Sequence, residues 1–278
     1  MNKSKKNPLS RLCVHTITTK PWTLEQAIEK YMLSGIQGIS VWRSYLAGLN
    51  LKSCRNMIKE SGLEAVALVR GGFFTGLKKE GRAKALDENR KAIDEASAIK
   101  ANMVVLVCGA TPRQSLHISR DQIKSALEIL LPYAEKNEVK LAIEPLHPMY
   151  ADTRSAINTL KQANKMAEYF NSPWLGVALD VYHVWWDPDL EKQISRCGEN
   201  NNLLAVHLCD WKIPTQDMLN DREIMGKGII EISQIIQWIE KTGYDGFYEV
   251  EIFSDHYWRK DQDIFLKEII DSYLKYNI

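Results

Sequence analysis

The stretches AIEPLH (142–147), ALDVYH (178–183), AVHLCDW (205–211) and YEVEIF (248–253) follow one plan: a short apolar run that ends on a carboxylate or an imidazole. Runs of this length with no polar face suit strands buried on both sides, as in a parallel sheet covered by helices. Working outward, the same kind of run recurs, and the full series is 12–16, 38–42, 65–69, 103–107, 141–144, 175–180, 203–208 and 247–251. Between and after these lie segments of helical period at 23–34, 51–61, 87–100, 120–137, 153–170, 232–242 and 265–276. Strands alternating with helices predict βα units around a parallel sheet, and eight of them in 278 residues predict a single closed (β/α)8 barrel. Ser34–Gly35, Ser61–Gly62 and Thr242–Gly243 read as helix ends, and Thr23 and Thr153 as N-caps. No Pro/Gly/Ser-rich linker interrupts the series, so one catalytic domain is expected over 10–278, preceded by a basic, disordered or extended tail over 1–9. The longest irregular stretch, 209–228, follows the seventh strand and reads as a functional loop.

Composition narrows the function. Hydrophobic residues make up 45% and charged residues 26%, as in a soluble globular protein. Lys plus Arg number 36 against 35 for Asp plus Glu, a net charge of +1, which offers no global field for nucleic acid or an anionic membrane. Five cysteines without a CxxC pair fit reduced thiols and a cytoplasmic location. No run approaches the ~18 apolar residues of a membrane span, and the basic start is not followed by a signal-peptide core.

Catalytic groups of such barrels sit at the C-terminal strand ends. In the second half these are Glu144, Asp180, His207 and Glu251, on four successive strands. Side chains alternate along a strand, so the residues two positions earlier share the same face: Ala142, Ala178, Ala205 and Glu249. Three alanines leave room for a polar cluster above them. Three carboxylates brought together would repel one another without a cation, which points to one divalent metal ion held by Glu144, Asp180, His207 and Glu251. That donor set suits Mn2+ most naturally, with Mg2+, Co2+ or Zn2+ as alternatives.

The motifs IEPLH, LDVYH, VHLCD, GKG and GFYEVEIF, between about 141 and 253, resemble those of the xylose-isomerase-like TIM barrels known as sugar phosphate isomerases/epimerases. That superfamily includes ketose 3-epimerases, inosose dehydratase and endonuclease IV. The resemblance implies the same four metal ligands, His183 of the DxxH motif as a substrate contact or support for a ligand, and Glu144 and Glu251 as the groups that move the proton. Two positions depart from ketohexose epimerases: Tyr150 stands where an acidic substrate contact is expected, and Ile213, beside Lys212, where an arginine is expected. Endonuclease IV needs a further DxH motif, and 210–228 contains no histidine.

The resulting expectation is a metal-dependent isomerase or epimerase of a sugar or keto-sugar, working through an enediolate with Glu144 and Glu251 as acid and base. A dehydratase or lyase using the same enolisation is the alternative, followed by an apurinic-site endonuclease and a noncatalytic carbohydrate-binding barrel. Around the metal, His183 is expected to hold a substrate hydroxyl. His147 either faces the substrate or closes the turn before Pro148. Lys212 and Arg222 either bind a phosphate or hydroxyl or are solvated, the commoner state of loop cations. Trp185 and Trp211 offer aromatic faces to a sugar ring or serve as lid or subunit contacts. Glu249 is expected to be structural, with Arg70 as a partner, and the Gly226–Gly228 backbone to allow close approach of a ligand. The partner is a small-molecule sugar, with homo-oligomerisation left open.

Overall fold

The computed structural model describes residues 7–276 and residue 278. Eight parallel strands close into a barrel: β1 (Leu12–His15), β2 (Gly38–Trp42), β3 (Glu64–Gly72), β4 (Met103–Val107), β5 (Lys140–Ile143), β6 (Leu175–Asp180), β7 (Leu203–Leu208) and β10 (Tyr248–Val250). β10 pairs with both β7 and β1, so the barrel has no open edge. The chain is a single (β/α)8 TIM barrel. β8 (Asp210–Trp211) and β9 (Arg222–Glu223) form a separate antiparallel ribbon within the loop after β7.

The apolar runs form strands because both faces are buried. Leu12, Val14, Val104 and Leu106 point outward against the helices, while Cys13, Met103 and Val105 point into the barrel with Ala142, Ala178 and Ala205. The three alanines therefore do lie on the inner face, one layer below the strand ends.

The helices are α1 (Leu24–Leu33), α2 (Leu51–Ser61), α3 (Lys79–Ile99), α4 (Leu116–Lys136), α5 (Leu160–Phe170), α6 (Val181–Val184), α7 (Leu190–Glu199), α8 (Ile232–Glu240) and α9 (Gln262–Tyr273). Thr23 caps α1 in a reciprocal capping box with Gln26. α5 starts later than the sequence suggests, capped by Thr159 rather than Thr153. The intervening chain is held as a loop by Asn158, whose amide donates to the carbonyls of Leu146 and Ser155 at 3.1 and 3.0 Å. α3 begins earlier than expected, through first turns that are mostly exposed and so carry little apolar signal. α7 was not among the expected segments; it follows α6 in the connection from β6 to β7, packs beside α5 and α8, and buries Leu190, Ile194 and Cys197.

Of the expected tail, residues 1–6 lie outside the described residues. Leu9 is buried (7% exposed) against the core. All five cysteines are free and buried. Among the described residues no helix is long and apolar enough to cross a membrane.

Gly72 ends β3 at φ +103°, and a Cβ there would lie 1.9 Å from the Val107 carbonyl oxygen. Gly62, the left-handed C-cap of α2 at φ +79°, has open space around the same position. Gly62→Ala should therefore cost only the conformational penalty of about 1 kcal/mol. Gly72→Ala should cost clearly more, at least about 2 kcal/mol, because β3 and β4 must part. Denaturant unfolding of the two variants checks this; equal losses would contradict the close approach.

Candidate metal centre and active site

Glu144 and Glu251 each lie one residue past the end of their strands, β5 and β10, whereas Asp180 ends β6 and His207 lies within β7. One donor atom from each of the four lies within 4.8 Å of the others, and all four residues are buried. His207 Nδ1 is 3.0 Å from Glu144 Oε1, while its Nε2 has no hydrogen-bond partner among the described residues. Asp180 also caps α6, accepting from the Tyr182 amide at 2.9 Å. Three buried carboxylates and an imidazole with a free nitrogen are a donor set that fits one divalent cation.

Two groups that the sequence did not assign to the centre belong to it. His15, at the end of β1, bridges two carboxylates, with Nε2 2.9 Å from Glu249 Oε2 and Nδ1 2.9 Å from Glu251 Oε1. Glu249 is thus partnered by His15 and by the Ser40 hydroxyl, which donates at 2.5 Å, and not by Arg70. The signal was present, since His15 ends a strand facing inward, but the sequence does not show which carboxylate it meets.

Arg222 is the second. It is only 3% exposed, not solvated as loop cations usually are. Its Nη1 donates to Asp180 Oδ2 at 2.9 Å and Glu251 Oε2 at 3.1 Å, and its Nη2 lies 3.4 Å from His183 Nε2. The rings of Tyr182 and Phe253 sandwich the guanidinium at 4.5 and 5.1 Å. No arginine stands beside Lys212, and Arg222, further along the same loop, is the one that reaches the cluster.

These contacts set the charge states. Burial raises the pKa of Glu144 and of Asp180. Burial also opposes ionisation of Glu251, but His15 and Arg222 more than offset it and hold Glu251 well below the usual carboxylate range. For His207, burial acts downward, yet the Glu144 hydrogen bond and the Glu249 charge carry it up to about 10. Burial, then the Arg222 charge, keeps His183 neutral by pushing its pKa well down.

Above the cluster lies a narrow cavity of about 30 Å3, lined by Glu144, Glu251, His183, Arg222 and Leu219 among others. Its volume holds roughly two waters. A larger concavity of about 510 Å3, lined by Glu64, Asn102 and Phe247, lies at the opposite mouth of the barrel, away from the carboxylates.

Of the expected substrate contacts, His183 lines the site cavity, but His147, Lys212, Trp185 and Trp211 do not. Lys212 Nζ is 2.5 Å from Asp221 Oδ1. Trp211 stacks on Tyr182 at 4.7 Å and lies 5.2 Å from His147 and 5.5 Å from Trp185. His147 closes the turn before Pro148, its Nδ1 accepting from the Met149 amide. The Gly226 and Gly228 amides are also taken: with those of Trp211 and Ile230 they donate to the Asp210 carboxylate at 2.8–2.9 Å, leaving no open cradle.

A family model described as xylose isomerase-like TIM barrel matches residues 28–269. The chain is 24% identical over 177 residues to L-ribulose-5-phosphate 3-epimerase UlaE of Escherichia coli O1:K1; the match covers 63% of this chain and 58% of that protein, less than two thirds of its length. It is also 24% identical over 237 residues to the inosose isomerase of Halalkalibacterium halodurans, covering 82% of this chain and 80% of that one. Among solved structures, protein SMc04130 of Sinorhizobium meliloti 1021 superposes with a TM-score of 0.93 at 40% identity, over 96% of this chain and 98% of that one. The chain belongs to the xylose isomerase-like TIM barrel family.

Proposed function

We propose that the chain is a divalent-metal-dependent isomerase or epimerase of a sugar or keto-sugar. The observation that carries this reading is the convergence of Glu144, Asp180, His207 and Glu251 on one buried point at the floor of a cavity that also exposes His183 and Arg222. The similarity to an epimerase and an isomerase of sugar-like substrates supports it. The four residues would hold the ion, Mn2+ by the balance of hard and borderline donors, with Mg2+, Co2+ and Zn2+ as alternatives. When bound, such an ion supplies Lewis-acid stabilisation of negative charge on neighbouring carbonyl and hydroxyl oxygens.

The proton chemistry falls to the chain. Glu251 is kept ionised by His15 and Arg222, which suits it to take the proton from the carbon beside the carbonyl, giving the substrate enediolate. Glu144, raised by burial and hydrogen-bonded to His207, suits the return of a proton. The reverse direction exchanges the two roles. Neutral His183, which lines the cavity, holds a neighbouring hydroxyl.

Calorimetric titration should find one Mn2+ per chain, and His207→Ala should weaken its affinity by more than about tenfold. Because the Glu144 hydrogen bond and the Glu249 charge raise the His207 pKa to about 10 against burial, uptake near neutral pH should release protons, read from the dependence of heat on buffer ionisation. A chain that takes up no divalent ion would remove the metal centre.

The chemical step is tested by incubating candidate ketoses with the metal-loaded protein in D2O. A turned-over substrate should gain deuterium next to its carbonyl, and Glu251→Gln should abolish the gain even where metal content is retained. Exchange with a product lighter by one water or one aglycone would move the assignment to a dehydratase or lyase. Product with no solvent deuterium, once internal return is excluded, would overturn two-base proton transfer.

A further inference from the structure

The cavity over the carboxylates has a second wall that the proton chemistry does not use. Arg70, two residues before the end of β3, and Arg154, in the loop after β5, both line it, across from Glu144 and Glu251. Neither guanidinium donates a hydrogen bond or lies within 4.0 Å of a carboxylate among the described residues.

The pattern of the other arginines makes this significant. The buried or half-buried ones have partners: Arg11 pairs with Glu240, Arg43 with Glu95, Arg90 with Asp87, Arg196 with Glu168 and Arg222 with Asp180. Arg82 and Arg120 donate to the carbonyls of Gly76 and Ala156. Arg55, Arg113 and Arg259 have no side-chain partner, but they are exposed, where water serves. Among the described residues, Arg70 and Arg154 are the only arginines that are half-buried without a protein partner, and their nitrogens are open to solvent.

Both are instead packed on aromatic rings. The Arg70 guanidinium lies 4.3 Å from the Phe73 ring centre and 6.0 Å from that of Trp42, and Arg154 lies 5.5 Å from the Tyr150 ring. A ring against its face leaves a guanidinium's N–H edge free to donate, and two such forks match an oxyanion bidentately. Burial and then the Arg154 charge lower the Arg70 pKa against the charges of Glu144 and Glu251, which raise it, and an anion between the two arginines would add to that compensation.

We infer that Arg70 and Arg154 form an oxyanion subsite, so that the substrate class is a polyhydroxy ketone or aldehyde carrying a phosphate or carboxylate group. This rests on the proposed function: the carbonyl end lies over the four metal-binding residues and the anionic end against the two arginines. The arginines thereby fix which carbon is presented to Glu144 and Glu251.

The test titrates inorganic phosphate and, separately, acetate into the metal-loaded protein and into the same protein after chelation, with Mn2+ titrated in parallel. The variants are Arg70→Gln, Arg154→Gln and the corresponding lysines, each checked for its unfolding midpoint. One anion should bind with and without metal, each Gln variant should weaken it by about tenfold or more, and each Lys variant, retaining charge but not the fork, should fall between. The anion that binds more tightly names the source, phosphate ester or carboxylate. Anion affinities unmoved by all four substitutions overturn the subsite. If the Gln variants do not fold, the Lys variants decide: an unchanged affinity overturns the subsite and a weakened one supports it. Loss of anion dependence with Mn2+ uptake intact removes the subsite and leaves the metal centre, whereas arginine-dependent anion binding in a chain that takes up no metal keeps the subsite and removes the proposed function.

Discussion

Glu144, Asp180 and Glu251 bring three carboxyl groups into one buried patch, with donor atoms within 4.8 Å of one another, and the upper half of the barrel is arranged around the repulsion this creates. At an effective dielectric of about 20, each ionised pair at that distance costs roughly 3 kcal/mol, so three pairs would consume most of a domain's net stability. Positive groups from three directions answer it. His207 stands against Glu144, His15 against Glu251, and Arg222 between Asp180 and Glu251. Glu249, one layer lower, holds the opposite nitrogen of His15 and accepts from Ser40, which fixes the imidazole's orientation. A divalent cation would add to this compensation and compete with the protons now resident on the imidazoles.

The same constraint accounts for the shape of the loop after β7. A guanidinium has to reach the cluster from above, yet the strands at this end are already occupied by ligands. The chain therefore runs out as β8 and returns as β9, bringing Arg222 down between Tyr182 and Phe253. Asp210 anchors the far end of that excursion by accepting from four backbone amides, so the Gly-Lys-Gly turn serves to position Arg222. Sequence features that suggest a ligand cradle are here used internally.

What could be read from the sequence follows from range. The eight strands and the Ala142, Ala178 and Ala205 layer were legible because strand alternation is a local, period-two signal, and the strand-end rule carries it directly to Glu144, Asp180, His207 and Glu251. Helix limits were less legible: the start of α3 lies in an exposed segment, and α5 is delayed by the Asn158 contacts, which come from residues outside the helix. Arg222 and His15 were missed because their roles depend on which residues meet across the barrel mouth. Lys212, Trp185 and Trp211 illustrate the converse. They are close in sequence to the ligands, but Asp221 and a shared aromatic stack hold them outside the cavity.

The loop that carries Leu219 borders the cavity and is held there by contacts of modest strength. Tyr150 and Tyr182 both donate their hydroxyls to the Met218 carbonyl, one residue before Leu219, and Lys212 pairs with Asp221 on the other side. Each neutral hydrogen bond contributes about 1 kcal/mol, and a partly exposed ion pair no more. Arg222, buried beside two rings and two carboxylates, is held by stronger, charge-assisted contacts. Next to the tip, the Asp255 amide donates to the Asn220 carbonyl at 2.9 Å and Asp221 bridges to Ser254, so the loop is also tied to the segment after β10. Tyr150 sits at the junction of these parts, since its hydroxyl fastens the tip while its ring packs against both Arg154 and His183.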